Sequence, residues 1–117
     1  MQLLVQRGDV FRANLNPKEG SEQAGIRPVI VVSRDAINKS SPVIIIVPCT
    51  DAANKPRMYP SHVRFTAGSC GFTMDTIATC EQIRAIGKTR LSDKIGTLTR
   101  ADLTSIEAAI KIAIDLP

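Results

Sequence analysis

The chain has 117 residues, 44% of them apolar, and carries 15 Lys and Arg against 11 Asp and Glu, a formal net charge of +4 with a pI near 9.3. That length suits one domain, residues 1–117, able to bury a core without disulfides or metals. The charge suits a polyanionic partner, and the absence of any block of like charges excludes a disordered basic tail.

Three cysteines (Cys49, Cys70, Cys80) without a Cys-x-x-Cys pair, beside a single histidine, speak against a structural zinc site. They read instead as small buried thiols in a reducing cytoplasm. The opening Met1–Arg7 is too short an apolar run for a signal peptide, and no run approaches membrane-spanning length. A cytoplasmic protein without a membrane partner is expected. With no Trp, one Tyr and three Phe, the core must be aliphatic, which favours strands over long helices.

In chain order, Asp9–Leu15 alternates Val10, Arg12 and Asn14 with Phe11, Ala13 and Leu15, the period of a half-buried strand. Residues 16–26 form a polar loop with two glycines and a proline. Arg27 stands at its exit, and Pro28–Val32 predicts a central strand with proline at its first position, where a missing amide is tolerated. Ser33–Asn38 predicts one helical turn, capped by Ser33 and closed by Asn38. Val43–Val47 predicts a second buried strand running through Pro48 into Cys49, Thr50 and Asp51. Ala52–Pro60 reads as a mobile surface loop. His62–Phe65 is a strand with Val63 and Phe65 inward, and Ala67–Gly71 is a turn. Asp75–Ile86 predicts one long, bulged strand, with Gln82 and Arg84 sharing a face, and Lys94–Leu98 a short final one. Ala101–Leu116 is the only long helix. Thr99 is its N-cap and Asp102 stands at the capping-box position. Leu103, Ile106, Ile110, Ala113 and Ile114 line one face, while Ile112 and Leu116 leave spare apolar surface for a second subunit or a neighbouring loop. These elements make a mainly β, β-rich α+β fold: a small antiparallel barrel with a C-terminal helix.

No metal-ligand spacing joins His62 to Asp9, Asp35, Asp51, Asp75 or Glu81, and no Gly-x-Ser-x-Gly elbow or P-loop is present, so neither metal nor nucleotide cofactor is expected. What remains is cationic and polar: Arg27, Thr50, Ser21, Glu22, Gln23, His62, Gln82 and Arg84. This inventory suits phosphodiester chemistry on RNA, where the 2′-hydroxyl is an internal nucleophile. Such a step needs positive charge and donors aimed at the phosphate oxygens as charge builds there. Arg matches two such oxygens, and a Thr hydroxyl donates a further bond. Glu22 and Gln23 suit the edges of unpaired bases. Proton transfer falls to Glu22, His62 or Arg27. Taken singly, each residue also has a structural reading: Arg27 as a surface ion-pair donor, Thr50 as a strand end, Glu22 bound to its own loop, His62 as an exposed strand residue, Gln82 and Arg84 as a solvated face.

Together, Arg7-Gly8-Asp9-Val10, Asn16-Pro17-x-x-Gly20-Ser21-Glu22-Gln23-Ala24-Gly25-x-Arg27-Pro28, Pro48-Cys49-Thr50 and Glu81-Gln82-Ile83-Arg84 resemble the MazF/PemK/Kid toxin family over nearly the whole chain. The resemblance implies an SH3-like, CcdB/MazF-type barrel and a symmetric homodimer. It implies metal-independent cleavage of single-stranded RNA at a short sequence, leaving a 2′,3′-cyclic phosphate or 3′-phosphate and a 5′-hydroxyl. It places catalysis on Arg27 and Thr50, and RNA contacts on Ser21, Glu22, Gln23 and Gln82, with His62 at a position where some relatives have His. It also implies an antitoxin whose acidic, disordered tail fills the same groove. The alternative on the same barrel is a CcdB-like toxin that binds a protein target such as DNA gyrase; a third reading is an inert interaction module.

Overall fold

The aliphatic runs form strands β1 (Asp9–Asn14), β2 (Ile26–Val31), β3 (Val43–Asp51), β4 (His62–Phe65), β5 (Thr76–Thr79), β6 (Arg84–Gly87) and β7 (Leu91–Thr97), all paired antiparallel. Helix α1 (Asp35–Ser40) joins β2 to β3, and helix α2 (Arg100–Ala113) follows β7. The computed structural model describes residues 4–117, so the reading of the opening Met1–Leu3 lies outside it. The sheet order is β4-β5-β3-β2-β1-β7, with β6 also on β3.

Alternation along the three central strands explains the core. Val10, Ile30, Val47 and Cys49 face one buried cluster with Phe65, Ile106 and Ala109, while Phe11, Val29, Val31, Ile44 and Ile46 face a second with Leu15 and Ile86. A sheet covered on both faces reads as continuous hydrophobic sequence, which is why β2 and β3 look unalternating. Pro28 lies inside β2 rather than at its start. It faces Arg12, and pairing of β2 with β3 begins only at Val29, so its missing amide falls where that ladder ends.

The long strand expected over Asp75–Ile86 is instead β5, a 3-10 turn at Cys80–Gln82, and β6. Ala78 faces Cys49 and Arg84 faces Ile46, so six residues on one side span three on the other. The excursion lies opposite Pro48, which has no amide to offer; the Thr79 hydroxyl donates to the Pro48 carbonyl instead, at 2.9 Å. One proline thus lifts Glu81 and Gln82 out of the sheet.

Other boundaries move for identifiable reasons. The short helix begins two residues later than expected, at Asp35, with no side-chain cap. Ser33 instead hydrogen-bonds the Asn38 amide group and the Ile45 backbone, where Asn38 is buried. The segment expected to be loop from Ala52 opens with a 3-10 turn, Ala52–Asn54, capped by the Asp51 carboxylate on the Ala53 amide at 3.0 Å. β7 starts at Leu91 because polar Ser92 and Asp93 bind Arg12 rather than breaking the strand. Thr99 caps α2 by accepting from the Asp102 amide at 3.1 Å. The helix stops at Ala113, which leaves Ile114, expected on the packed face, exposed with Ile112 and Leu116.

Gly71 and Gly96 let the turn after β4 lie directly on β7. A Cβ at Gly71 would stand 1.9 Å from the Ile95 carbonyl oxygen, and one at Gly96 2.0 Å from that of Cys70. Only glycine fits either position.

Candidate active site

Arg27 and Thr50 come from different strands and meet. Arg27 is the second residue of β2; Thr50 is near the end of β3, which lies beside it in the sheet. Arg27 Nη1 donates to Thr50 Oγ1 at 3.0 Å, and Arg27 Nε donates to the Ala24 carbonyl. Thr50 is 3% exposed. Its oxygen also accepts from Asn54 Nδ2 at 3.4 Å, so its own proton is left for a further acceptor. Among the described residues no carboxylate pairs with Arg27, although Arg7, Arg12, Arg64 and Lys94 are all neutralised by acids. A half-buried, oriented and unneutralised guanidinium beside a donor hydroxyl is a ready site for an anionic oxygen.

Three adjoining hollows make a groove around this pair. On the loop side, one of about 410 Å³ is lined by Lys18, Ser21, Glu22, Gln23, Arg27, Thr50 and Lys55. It shares Ser21 and Glu22 with a hollow of about 390 Å³ reaching Gln82 and Arg84. Beyond the pair a narrower cleft, about 250 Å³, is walled by Arg12, Ile26, Pro28, Asp51, Met74 and Ile95.

The loop is held rather than free. Asn16 Oδ1 accepts the Gly25 amide at 3.0 Å, the Leu15 amide bonds the Gly25 carbonyl at 2.9 Å, and Arg90 bonds the Asn14 and Asn16 carbonyls. Across the groove, Gln82 Oε1 accepts the Gln23 amide at 2.7 Å. Gln82, read from the sequence as a base contact, therefore uses its carbonyl to peg the loop and keeps its NH₂ for other partners.

His62 is not brought into the groove. Expected to be exposed, it is 7% exposed, with Nδ1 accepting the Tyr59 amide at 3.3 Å and Nε2 against Glu81 Oε2 at 3.0 Å. The Tyr59 ring packs edge-on against it. Burial pushes the Glu81 carboxyl upward, but its own amide and the bonds from His62 and Ser61 outweigh this and hold it below the ordinary glutamate value. The histidine thus supports Glu81 from behind. The thiols offer no nucleophile either: burial raises Cys49 far above an ordinary thiol, Cys80 to about 12 and Cys70 to about 11. Asn54, Lys18 and Lys55 also line the groove and are not among the residues that the sequence singles out.

The profile of the "PemK-like, MazF-like toxin of type II toxin-antitoxin system" matches residues 6–114. EndoA of Bacillus subtilis, named an endoribonuclease, is 40% identical over 97% of each chain. The endoribonuclease MazF of Staphylococcus epidermidis is 36% identical over 97% of this chain and 93% of that one. A mycobacterial endoribonuclease solved in complex with its cognate antitoxin superposes with TM-score 0.77 at 28% identity, covering 97% of both chains. MazF of Deinococcus radiodurans superposes at TM-score 0.82 and 19% identity over 98% of this chain and 100% of its own, a likeness of fold. With a matching profile over nearly its whole length and relatives this similar, the chain belongs to the PemK-like, MazF-like toxin family of type II toxin–antitoxin systems.

Proposed function

We propose that this chain is the endoribonuclease toxin of such a system, a cytoplasmic homodimer that cleaves single-stranded RNA at a short sequence. The observation that carries the reading is the Arg27–Thr50 contact at the centre of the groove. The RNA's own 2′-oxygen attacks the adjacent phosphorus; the new P–O2′ bond forms as the P–O5′ bond breaks. A 2′,3′-cyclic phosphate and a 5′-hydroxyl result. Arg27 and the Thr50 hydroxyl hold the non-bridging oxygens as their charge grows. The nucleophile belongs to the substrate, so the step requires no metal, and DNA, lacking that hydroxyl, is not cut. His62, tied to Glu81, has no part in proton transfer; that task rests on Glu22 or Arg27. Ser21, Glu22 and Gln23 line the groove where bases pass. Relatives named endoribonucleases, and a solved neighbour bound to its antitoxin, support both the chemistry and an antitoxin whose acidic tail covers these cations. No helix among the described residues is long and apolar enough to cross a membrane. A toxin acting on gyrase would make no use of this guanidinium–hydroxyl pair, and that reading is not favoured.

The test is to incubate the purified protein with RNA in EDTA and map the new ends. Cuts bearing cyclic phosphate are expected. Arg27→Ala should lower the rate by about 10²–10³ or more while leaving the thermal melt unchanged. A metal requirement, or an active Arg27→Ala protein, would refute it.

A further inference from the structure

We propose that Asp51 reads one of the two nucleotides joined by the scissile phosphate, and that it selects a base with an exocyclic amino group over uracil. The inference rests on the endoribonuclease reading and adds a specificity residue to it.

The cleft beyond the Arg27–Thr50 pair holds about 250 Å³, smaller than either hollow on the loop side. Its entrance carries two apolar side chains left largely in solvent, Ile26 at 68% exposure and Met74 at 49%. Such surfaces suit the faces of an unstacked base. Asp51 follows Thr50 directly and lines the same cleft, so a base bound there belongs to a nucleotide bordering the phosphate held by the pair.

The charge on Asp51 is what makes the cleft selective. One oxygen, Oδ1, caps the 3-10 turn on the Ala53 amide at 3.0 Å. Oδ2 has no hydrogen-bond or ion-pair partner among the described residues; of the two arginines lining the cleft, Arg12 is committed to Asp93 at 2.8 Å and Arg27 is aimed by its bonds to Ala24 and Thr50. A free carboxylate oxygen repels phosphate and can only accept hydrogen bonds. The phosphates therefore run on the other side of the pair, past Lys18 and Lys55. What fits against Oδ2 is a donor such as cytosine N4 or adenine N6, the pairing by which acidic side chains read cytosine. Uracil presents O4, which Oδ2 repels, where cytosine presents N4, and N3–H is its one remaining donor on that edge.

The variant Asp51→Asn separates reading from structure. Asparagine keeps an oxygen for the Ala53 amide, and with it the turn that places Asn54 on Thr50, but exchanges the free acceptor for an NH₂ donor. The wild-type protein and Asp51→Asn are each incubated with a randomised pool of single-stranded RNA, and the cut ends are sequenced. For the wild type, one of the two flanking positions should favour amino-bearing bases over uracil by about 5- to 150-fold. Asp51→Asn should lose that preference or reverse it toward uracil, with the other positions of the site unchanged. Binding of the same sequences, carrying 2′-deoxyribose at the cut, to both proteins by fluorescence anisotropy reads the preference should the variant cleave too slowly to map. Indifference to uracil at both flanking positions in the wild type, or a preference that survives in Asp51→Asn, overturns the proposal while the nuclease reading stands. A wild-type protein that cuts no RNA overturns both.

Discussion

Gln82 is placed to serve RNA binding by holding the loop that lines the groove. Its carbonyl accepts the Gln23 amide at 2.7 Å and is the described bond that ties the 3-10 turn Cys80–Gln82 to the tip of the Ser21–Gln23 segment. Gln23 is nearly buried, so releasing its amide leaves a poorly solvated donor, a loss on the order of 1–3 kcal/mol that falls on loop order. Gln82→Leu should therefore raise KM about tenfold for every RNA sequence alike, with little change in kcat at saturation. A side chain that read a base would instead weaken some sequences and spare others. Steady-state kinetics on two substrates that differ at each groove position distinguish the cases; a sequence-dependent loss returns Gln82 to base recognition. Arg27 follows similar logic, since its Nε and Nη1 are spent on Ala24 and Thr50 to aim the cation.

At the scale of elements, the narrow cleft exists because two glycines let the turn after β4 rest on β7. Gly96 has an ordinary backbone conformation, so Gly96→Ala tests the contact alone, with its Cβ set 2.0 Å from the Cys70 carbonyl oxygen. The neighbours are backbone and cannot rotate away. We expect a loss of about 1–3 kcal/mol in urea unfolding, the usual cost of overpacking. Unchanged stability would mean that the turn is free to lift. These contacts also show what was legible beforehand. β1, the apolar cores of β2 and β3, β4, and α2 with its Thr99 cap follow from local periodicity and capping chemistry, because each is specified by residues within itself. The break between β5 and β6 was not, because it depends on Pro48 in a strand some thirty residues away. Likewise Arg27 and Thr50 stood out as residue types, but their meeting follows from strand register. His62 was misplaced because an alternating strand does not reveal that Tyr59 and Glu81 cover its outer face.

At the scale of the whole molecule, four cations are tied to acids while four that line the loop-side groove are not. Arg7, Arg12, Arg64 and Lys94 bind Glu107, Asp93, Asp75 and Asp9, each tying together distant segments. Lys18, Arg27, Lys55 and Arg84 line the groove and have no ion-pair partner among the described residues. Exposed ion pairs of the first kind contribute little to stability, but they prevent those cations from competing for RNA. Set against Glu22 and Glu81, which line the same hollows, the four unpaired cations leave a small positive excess where a single strand would lie. Each phosphate neutralised there releases counterions, and for single strands the slope of log K against log salt is about −0.7 per phosphate. If the four groove cations each engage one phosphate, a non-cleavable single-stranded RNA should bind with a slope of roughly −3 per groove. Lys55→Ala should reduce that slope by about 0.7, whereas removing Arg12, already committed to Asp93, should leave it unchanged. Anisotropy titrations between low and near-physiological salt measure both. A slope near zero would mean that binding relies on base contacts, and equal effects from Lys55 and Arg12 would mean that general surface charge, rather than the groove, attracts the strand.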